Sequence, residues 1–347
     1  MSLFRKIQTA AFFVKLCNWE YWPFGILQFP VMLYWLWLSL KSRSLVFFTA
    51  SNPGITMGGM FGESKYDVLK KIPSRYVPKT VRISLPTTTE TVQKILHEHG
   101  FHVPLVFKPD IGERGFMVRR VFDTQDIDVY LSEVRTDFVV QELVDLPLEF
   151  GVFYTRFPDE PRGVVTSVVG KEMLSVTGNG VATLSELIMS KDRARLQWQA
   201  LKVKFKERLN EIIPAGQNIE LVSIGNHCLG TKFLNMNHLI NRELSETFDQ
   251  ISLQIDGFYF GRFDLRCASL EDLYQGHVKI LELNGCGAEP AHIYQPGFSF
   301  FGAVSVLLRH WQNIYVIAKQ NKQKGHRFLS LQEARAYYRK FKEATTA

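Results

Sequence analysis

Two short segments, GRFDL (261–265) and LELN (281–284), constrain the fold more than any other part of the chain. In each, polar and apolar residues alternate at period two, the spacing at which strand side chains point to one face. Arg262 and Asp264 therefore share a face of their strand, and Glu282 and Asn284 share a face of theirs. Phe263, Leu265, Leu281 and Leu283 fall on the opposite faces. If the strands pair with their apolar faces inward, four polar groups project together from a sheet whose back is buried. Two carboxylates held that close repel unless a cation lies between them. Oxygen donors from two carboxylates and one carboxamide suit a hard cation such as Mg2+, which keeps waters and binds phosphate. Arg262 is then left to neutralise developing negative charge. The competing reading is a solvated sheet face with surface ion pairs. LELN ends in Gly-Cys-Gly (285–287), where Cys286 reads either as a nucleophile or as a small residue in a tight turn.

Around these segments the chain alternates strand and helix patterns. TVRISL (80–85), PLVFKP (104–109), GFMVRRV (115–121), DFVVQEL (137–143), LEFGVFYTRF (148–157) and GVVTSVVG (163–170) read as strands. Residues 87–100 and 124–134 read as helices, 64–72 as a helix capped by Ser64, and 182–213 as a helix broken near Asp192. Segments 295–319 and 330–344 supply closing helices, and 44–64 reads as a buried strand running into a Gly-rich loop. The expected organisation is an arm (1–44), a small N-terminal α/β domain (45–103), a main domain (104–325) and a C-terminal helix (326–347). A chain of 347 residues has ample material for it.

The net charge of +7 comes from scattered Lys and Arg, a pattern that suits an anionic ligand or a membrane surface. No nucleic-acid-binding signature accompanies it, so no nucleic-acid partner is expected. Four cysteines (17, 228, 267 and 286) form no CxxC pair, which places the chain in a reducing, cytoplasmic setting. Residues 19–43 stand apart: almost uncharged from Tyr21 to Leu40, rich in Trp and Tyr, and closed by Lys41 and Arg43. Pro23 and Pro30 argue against a membrane span. Aromatic residues beside basic ones favour a hairpin lying on a membrane surface, peripheral to its inner face. The alternative is a greasy arm folded onto its own domain or onto a partner subunit.

A phosphate site is suggested by FKPDIGERGFMV (107–118), where Lys108 precedes a loop holding Gly112 and Gly115. Glycines let backbone N–H groups approach phosphate oxygens, and lysine supplies a point charge. The loop is not a Walker A motif, because no GK[ST] follows and it leads to a strand.

Taken in order, the strand-Lys-Pro with its Gly loop, QELVDLPLEFGV (141–152), GRFDL and LELN resemble the ATP-grasp superfamily, notably D-alanine–D-alanine ligases and cyanophycin-synthetase-like carboxylate–amine ligases. The resemblance covers residues 104–295. It implies an α+β fold in which two α+β subdomains clamp ATP, here with a reduced N-terminal domain and a hydrophobic helical arm. It implies ATP contacts from Lys108, from the loop Gly112, Glu113, Arg114 and Gly115, from the adenine-reading hinge Glu142, Leu143 and Val144, from Glu149 at the ribose, and from Lys171. Asp264, Glu282 and Asn284 match the Mg2+ ligands, with Mn2+ as a substitute, and Arg262 matches the arginine that stabilises the transferred phosphoryl group. Glu289 and His292 are substrate candidates by position. VTGNGVATLSELI (176–188) resembles the GDG-T-ELI segment of the cyanophycin-type ligases, with Asn179 replacing the usual Asp. IGNHCLGTKF (224–233) sits where the family has a loop near the phosphates, with His227 and Lys232 read either as phosphate contacts or as parts of a turn.

The implied activity joins a small-molecule carboxylate to an amine or thiol through an acyl phosphate, releasing ADP and phosphate, with a lipid-like substrate suggested by the arm. A phosphotransferase and a non-catalytic ATP-binding protein of the membrane surface are the rival readings. Oligomeric state is not legible.

Overall fold

A computed structural model describes residues 19, 22–113, 115–222 and 231–346. Helix α1 (Phe24–Ser42) is followed by two short 3-10 turns, Phe47–Ala50 and Thr56–Gly59, and by α2 (Lys65–Leu69). Ser64 caps α2, its hydroxyl accepting from the Asp67 amide at 3.0 Å.

The first unit contains β1 (Thr80–Ile83), α3 (Thr89–Glu98), β2 (Leu105–Pro109), β3 (Arg119–Val121), α4 (Thr124–Glu133) and β4 (Phe138–Glu142). Its sheet runs β1-β4-β2-β3 with every neighbour antiparallel. The amphipathic helices α3 and α4 bury Val92, Leu96, Ile127 and Tyr130 against Phe107, Phe138 and Val140.

The second unit begins with β5 (Leu148–Thr155) and β6 (Val164–Glu172). A satellite follows: β7 (Ser175–Thr177), α5 (Leu184–Ser190), α6 (Asp192–Leu196), α7 (Trp198–Lys204) and β8 (Asn218–Glu220), with a small core of its own. Next come β9 (Lys232–Asn235), α8 (Arg242–Leu253), β10 (Phe260–Cys267), α9 (Leu270–Gln275) and β11 (Lys279–Asn284). The five-stranded sheet runs β11-β10-β5-β6-β9, again antiparallel throughout. On its back, Phe263, Leu265 and Ile280 pack against Leu244 and Phe248 of α8 and Leu273 of α9. On its front, α10 (Phe300–Gln323) covers one end, where the His310 ring meets Phe153 and Phe260 at centroid distances of 5.5 and 4.9 Å. Helix α11 (Leu331–Thr346) closes the chain.

Residues 143–147 carry the chain from β4 in the first sheet to β5 in the second. Between the sheets lies a cleft of about 1260 Å3 lined from both. Two α+β units around a cleft are the arrangement that the resemblance implied.

Several local readings change. Residues 44–64 form 3-10 turns and no strand, because Met57, Gly58 and Gly59 take positive φ (55°, 68° and 75°), which a strand does not tolerate. These turns pack with α10, and residues 80–103 share the sheet and core of the first unit. The strand expected over 115–121 is only Arg119–Val121, since Gly115 and Met117 also take positive φ. The helix expected over 182–213 is three short helices ending at Lys204, broken at Lys191 as anticipated and again at Gln197. Among the described residues the arm is one helix and not a hairpin. Pro23 sits at its N-cap, where a missing N–H costs nothing. Pro30 forfeits one intrahelical bond, but Leu27, Val31 and Leu38 are buried, Leu27 and Val31 against Ala303 and Leu307 of α10. No helix among the described residues is long and apolar enough to cross a membrane.

Candidate active site

The front of the second sheet carries the polar residues whose alternation marked β10 and β11. Arg262 faces Asn284, and Asp264 faces Glu282, as direct cross-strand partners. On the other side β5 places Gly151 opposite Asp264 and Glu149 opposite Arg266. A Cβ at Gly151 would lie 2.8 Å from Val169 and 3.1 Å from both Arg262 Cδ and Asp264 Oδ1, so only glycine leaves room for that pair to lie across the strand.

These side chains form one continuous network. Arg262 donates twice to Asp264, at 3.1 and 3.0 Å. Lys171 lies 3.3 Å from Asp264 and 3.1 Å from Glu149, and Arg266 holds Glu149 at 2.8 Å. Asn284 Nδ2 donates to Asp264 at 2.9 Å. From the first unit, Lys108 donates to Gln141 Oε1 and to the Leu281 carbonyl, both at 3.1 Å. Lys65 reaches Glu282 at 3.5 Å and also bonds the Gly112 carbonyl. In this network five cations meet three carboxylates, an excess of positive charge that suits a polyphosphate.

The Lys108 contact depends on a local irregularity. The β10–β11 register skips between Asp264 and Leu265, so Leu281 has no partner in the ladder. Its carbonyl is thereby available to Lys108. Leu281, expected in the core, is only half-buried and lies outside it, at the cleft, while Leu283 is in the core as expected.

Burial sets the protonation of the site. It pushes the Lys108 ammonium down to about 8, partly opposed by Glu282. Burial alone would raise Asp264, but Arg262 and Lys171 overcome it and bring the carboxyl down to about 2. Burial likewise works against charged Lys171, and Asp264 and Glu149 more than offset it, so its pKa is raised. Glu63 is raised chiefly by burial, and its Oε2 has no hydrogen-bond partner among the described residues.

The cleft gathers most of the residues singled out from the sequence: Lys108, Gly112, Glu113, Gly115, Glu142, Leu143, Val144, Glu149, Lys171, Arg262, Asp264, Glu282, Asn284 and Glu289 all line it. Arg114 and His227 lie outside the described residues. His292 does not line the cleft; it is 5% exposed and stands edge-on to Phe298 at 5.7 Å. Lys232 pairs with Glu172 at 3.4 Å on the surface. Asn179 is exposed and holds a turn, accepting from the Val181 and Ala182 amides at 3.1 and 2.8 Å. Cys286 is buried, and burial pushes its thiol up to about 12, which suits the turn reading and not a nucleophile. Lys65, Glu63 and Arg266 were missed. Arg266 had a signal, since it continues the period of Arg262 and Asp264; Lys65 and Glu63 reach the cleft only through the path of a loop.

Among the described residues no three His, Cys, Asp or Glu side chains come together as a metal centre. The expected set of two carboxylates and one carboxamide is of a different kind, one that shares its cation with phosphate and water. Asp264, Glu282 and Asn284 stand on adjoining positions of one face and have the oxygen chemistry for it. A divalent cation there would displace a donor that Asp264 now accepts from.

No protein-family model matches the chain, and no curated protein does. Among solved structures, the VanG D-Ala:D-Ser ligase from Enterococcus faecalis is 16% identical, with 74% of this chain and 64% of that one covered at a TM-score of 0.42. The D-alanine–D-alanine ligase from Bacillus anthracis is 12% identical, with 78% and 72% covered at 0.42. A bifunctional glutathione synthetase from Pasteurella multocida is 16% identical, with 71% and 36% covered at 0.38. The chain thus spans less than two thirds of the length of the first and the third. Overlaps this shallow leave the functional reading to the residues themselves.

Proposed function

We propose that the chain is an ATP- and Mg2+-dependent ligase of the ATP-grasp type that joins a carboxylate to an amine. The observation that carries this reading is the network on the sheet front: Arg262, Lys171 and Lys108 converge with Asp264, Glu282 and Asn284 at a cleft whose two walls are joined by residues 143–147. Lys108 and Lys171 hold the phosphates, the Gly112–Gly115 loop covers them, and the 142–144 segment reads the base. Glu149, fixed by Arg266 and Lys171, faces the ribose. Asp264, Glu282 and Asn284 would hold Mg2+, which when bound would screen the phosphate charge between the two anionic reactants.

The substrate carboxylate oxygen attacks the γ-phosphorus as the bond to ADP breaks. The amine then attacks the acyl carbon, phosphate leaves, and the amine proton passes to solvent. Arg262 stabilises the transferred phosphoryl group. No enzyme nucleophile is required.

The arm is read as a contact with a membrane surface. Helix α1 carries no charge from Phe24 to Leu40, and Ile26, Phe29, Leu33, Trp37 and Leu40 recur along it at helical spacing and are all exposed, Leu40 by 79%. Lys41, stacked on Trp37 at 4.3 Å, and Arg43 close the stripe with positive charge.

Incubating the protein with Mg-ATP and pools of carboxylates and amines tests the ligase reading. ADP and phosphate should appear in equal amounts and only when both partners are present, and Asp264→Asn should abolish both. ADP without phosphate would make it a phosphotransferase, and ATP binding without turnover a scaffold. Flotation with anionic liposomes tests the arm: a Phe29→Ser/Leu33→Ser/Leu40→Ser variant should stay in the soluble fraction, and flotation equal to wild type would sink the membrane reading.

A further inference from the structure

Beyond Arg262 the cleft continues toward the arm. Arg262 Nη1 donates to the Glu289 carbonyl at 3.0 Å. The Glu289 side chain accepts from Gln28 Nε2 of α1 at 2.6 Å and from the Tyr294 hydroxyl. Both donors are neutral and leave the carboxylate lone pairs for a further donor. The arm therefore closes this end of the cleft, and Glu289 marks a change of character. Past it the same cavity is walled by Trp19, Trp22, Leu27, Met60, Phe61 and Phe300. Trp22 stands 5.7 Å from Phe300 and Trp19 5.9 Å from Tyr294, ring to ring.

A nucleotide does not need such a wall, because its charge is met at the other end by Lys108 and Lys171. Hydrocarbon does, since an apolar chain gains by leaving water for an apolar wall. A carboxylate head placed at this boundary meets the like charge of Glu289, whereas an amino group meets an acceptor.

The geometry points to a second substrate that is an amine bearing an apolar chain, its amino group at the Glu289 carboxylate and its chain between Trp19, Trp22, Leu27 and Phe300. This rests on the ligase reading, which puts the nucleotide and the acyl phosphate on the Lys108 side of Arg262. The amino group is then delivered next to the reacting carbon. The arm that offers an apolar face outward also builds the apolar wall inward.

The test uses the full chain with n-alkylamines from butyl to decyl and the matching n-alkanoates, kept below micelle-forming concentrations, with a fluorescent ATP analogue titrated separately. Amine affinity should rise roughly threefold per methylene, and each alkanoate should bind roughly tenfold more weakly than its amine. Trp22→Ala and Phe300→Ala should flatten the chain-length dependence, Phe300→Leu should restore most of it, and the outward-facing Phe29→Ser should leave it intact. Glu289→Gln should remove the preference for amines. The inference is overturned if affinity is independent of chain length, if the two wall variants keep the wild-type slope, or if alkanoates bind as tightly as amines. Normal nucleotide binding with a flat series defeats this inference alone. Failure of nucleotide binding with the slope retained defeats the ligase reading and leaves the apolar subsite standing.

Discussion

Gly151 is the smallest group on the charged wall and the one with least freedom to change. Arg262 Cδ and the carboxylate of Asp264 lie over it, and a methyl group there would stand 3.1 Å from both and 2.8 Å from Val169. Val169 is a buried, branched side chain with little room to yield. Gly151→Ala should therefore push the pair off the strand and loosen Lys171, which shares Asp264 with it. The expected result is a loss of at least about tenfold in ligase turnover together with a destabilisation of about 1–3 kcal/mol, the usual range for overpacking. ADP release kinetics and urea unfolding check it. Unchanged turnover would mean that the Arg262–Asp264 pair has no part in the reaction.

At the scale of elements, the turn after β11 and the loop before α2 are built for each other. Cys286 N donates to the Gly58 carbonyl at 3.0 Å and Gly287 N to the Gly59 carbonyl at 2.8 Å. A Cβ on Gly285 would sit 2.4 Å from the Gly58 oxygen, backbone against backbone, with no side chain able to move aside. Gly285→Ala should thus separate the two segments, costing about 3 kcal/mol or more, and should displace Glu63 and, at the start of α2, Lys65. A thermal unfolding curve matching wild type would disprove the docking. The glycines of GCG were legible as a turn, but their partner was not, because nothing local in residues 57–60 announces a contact more than two hundred residues away. The same limit governs the site. Arg262, Asp264, Glu282 and Asn284 were readable because a strand's period of two is a local property. The skipped register that leaves Leu281 at the cleft was not, since a bulge is set by the partner strand. The hairpin expected over 19–43 fails for a related reason: Pro30 forfeits one bond, and the α10 surface that holds α1 together across it lies far away in the sequence.

Over the whole molecule, two buried histidines make stability depend on pH in a window away from the site. Burial lowers His292 from the ordinary 6.5 to about 4. Burial also lowers His310 to about 4, outweighing its hydrogen bond to the Cys286 backbone. Between these values the unfolded chain binds protons that the folded chain refuses, so acidification favours unfolding. The contribution of each histidine is fully present above pH 6.5 and is lost progressively as pH falls toward 4. By pH 5 about 2 kcal/mol of it is lost for each histidine. Glu63 acts in the opposite sense: its raised pKa lets the folded chain take its proton first, which favours folding as pH falls toward 4.5. Asp264, held at about 2, loses its contribution only below the ordinary 3.8. Urea unfolding at pH 7 and pH 5 separates the terms, because Glu63 and Asp264 are common to wild type and to His292→Gln and His310→Gln. Each substitution should shrink the fall in stability between the two pH values by about 2 kcal/mol, whatever it does to stability at pH 7. A fall of the same size in all three proteins would show that neither ring is held neutral by the fold.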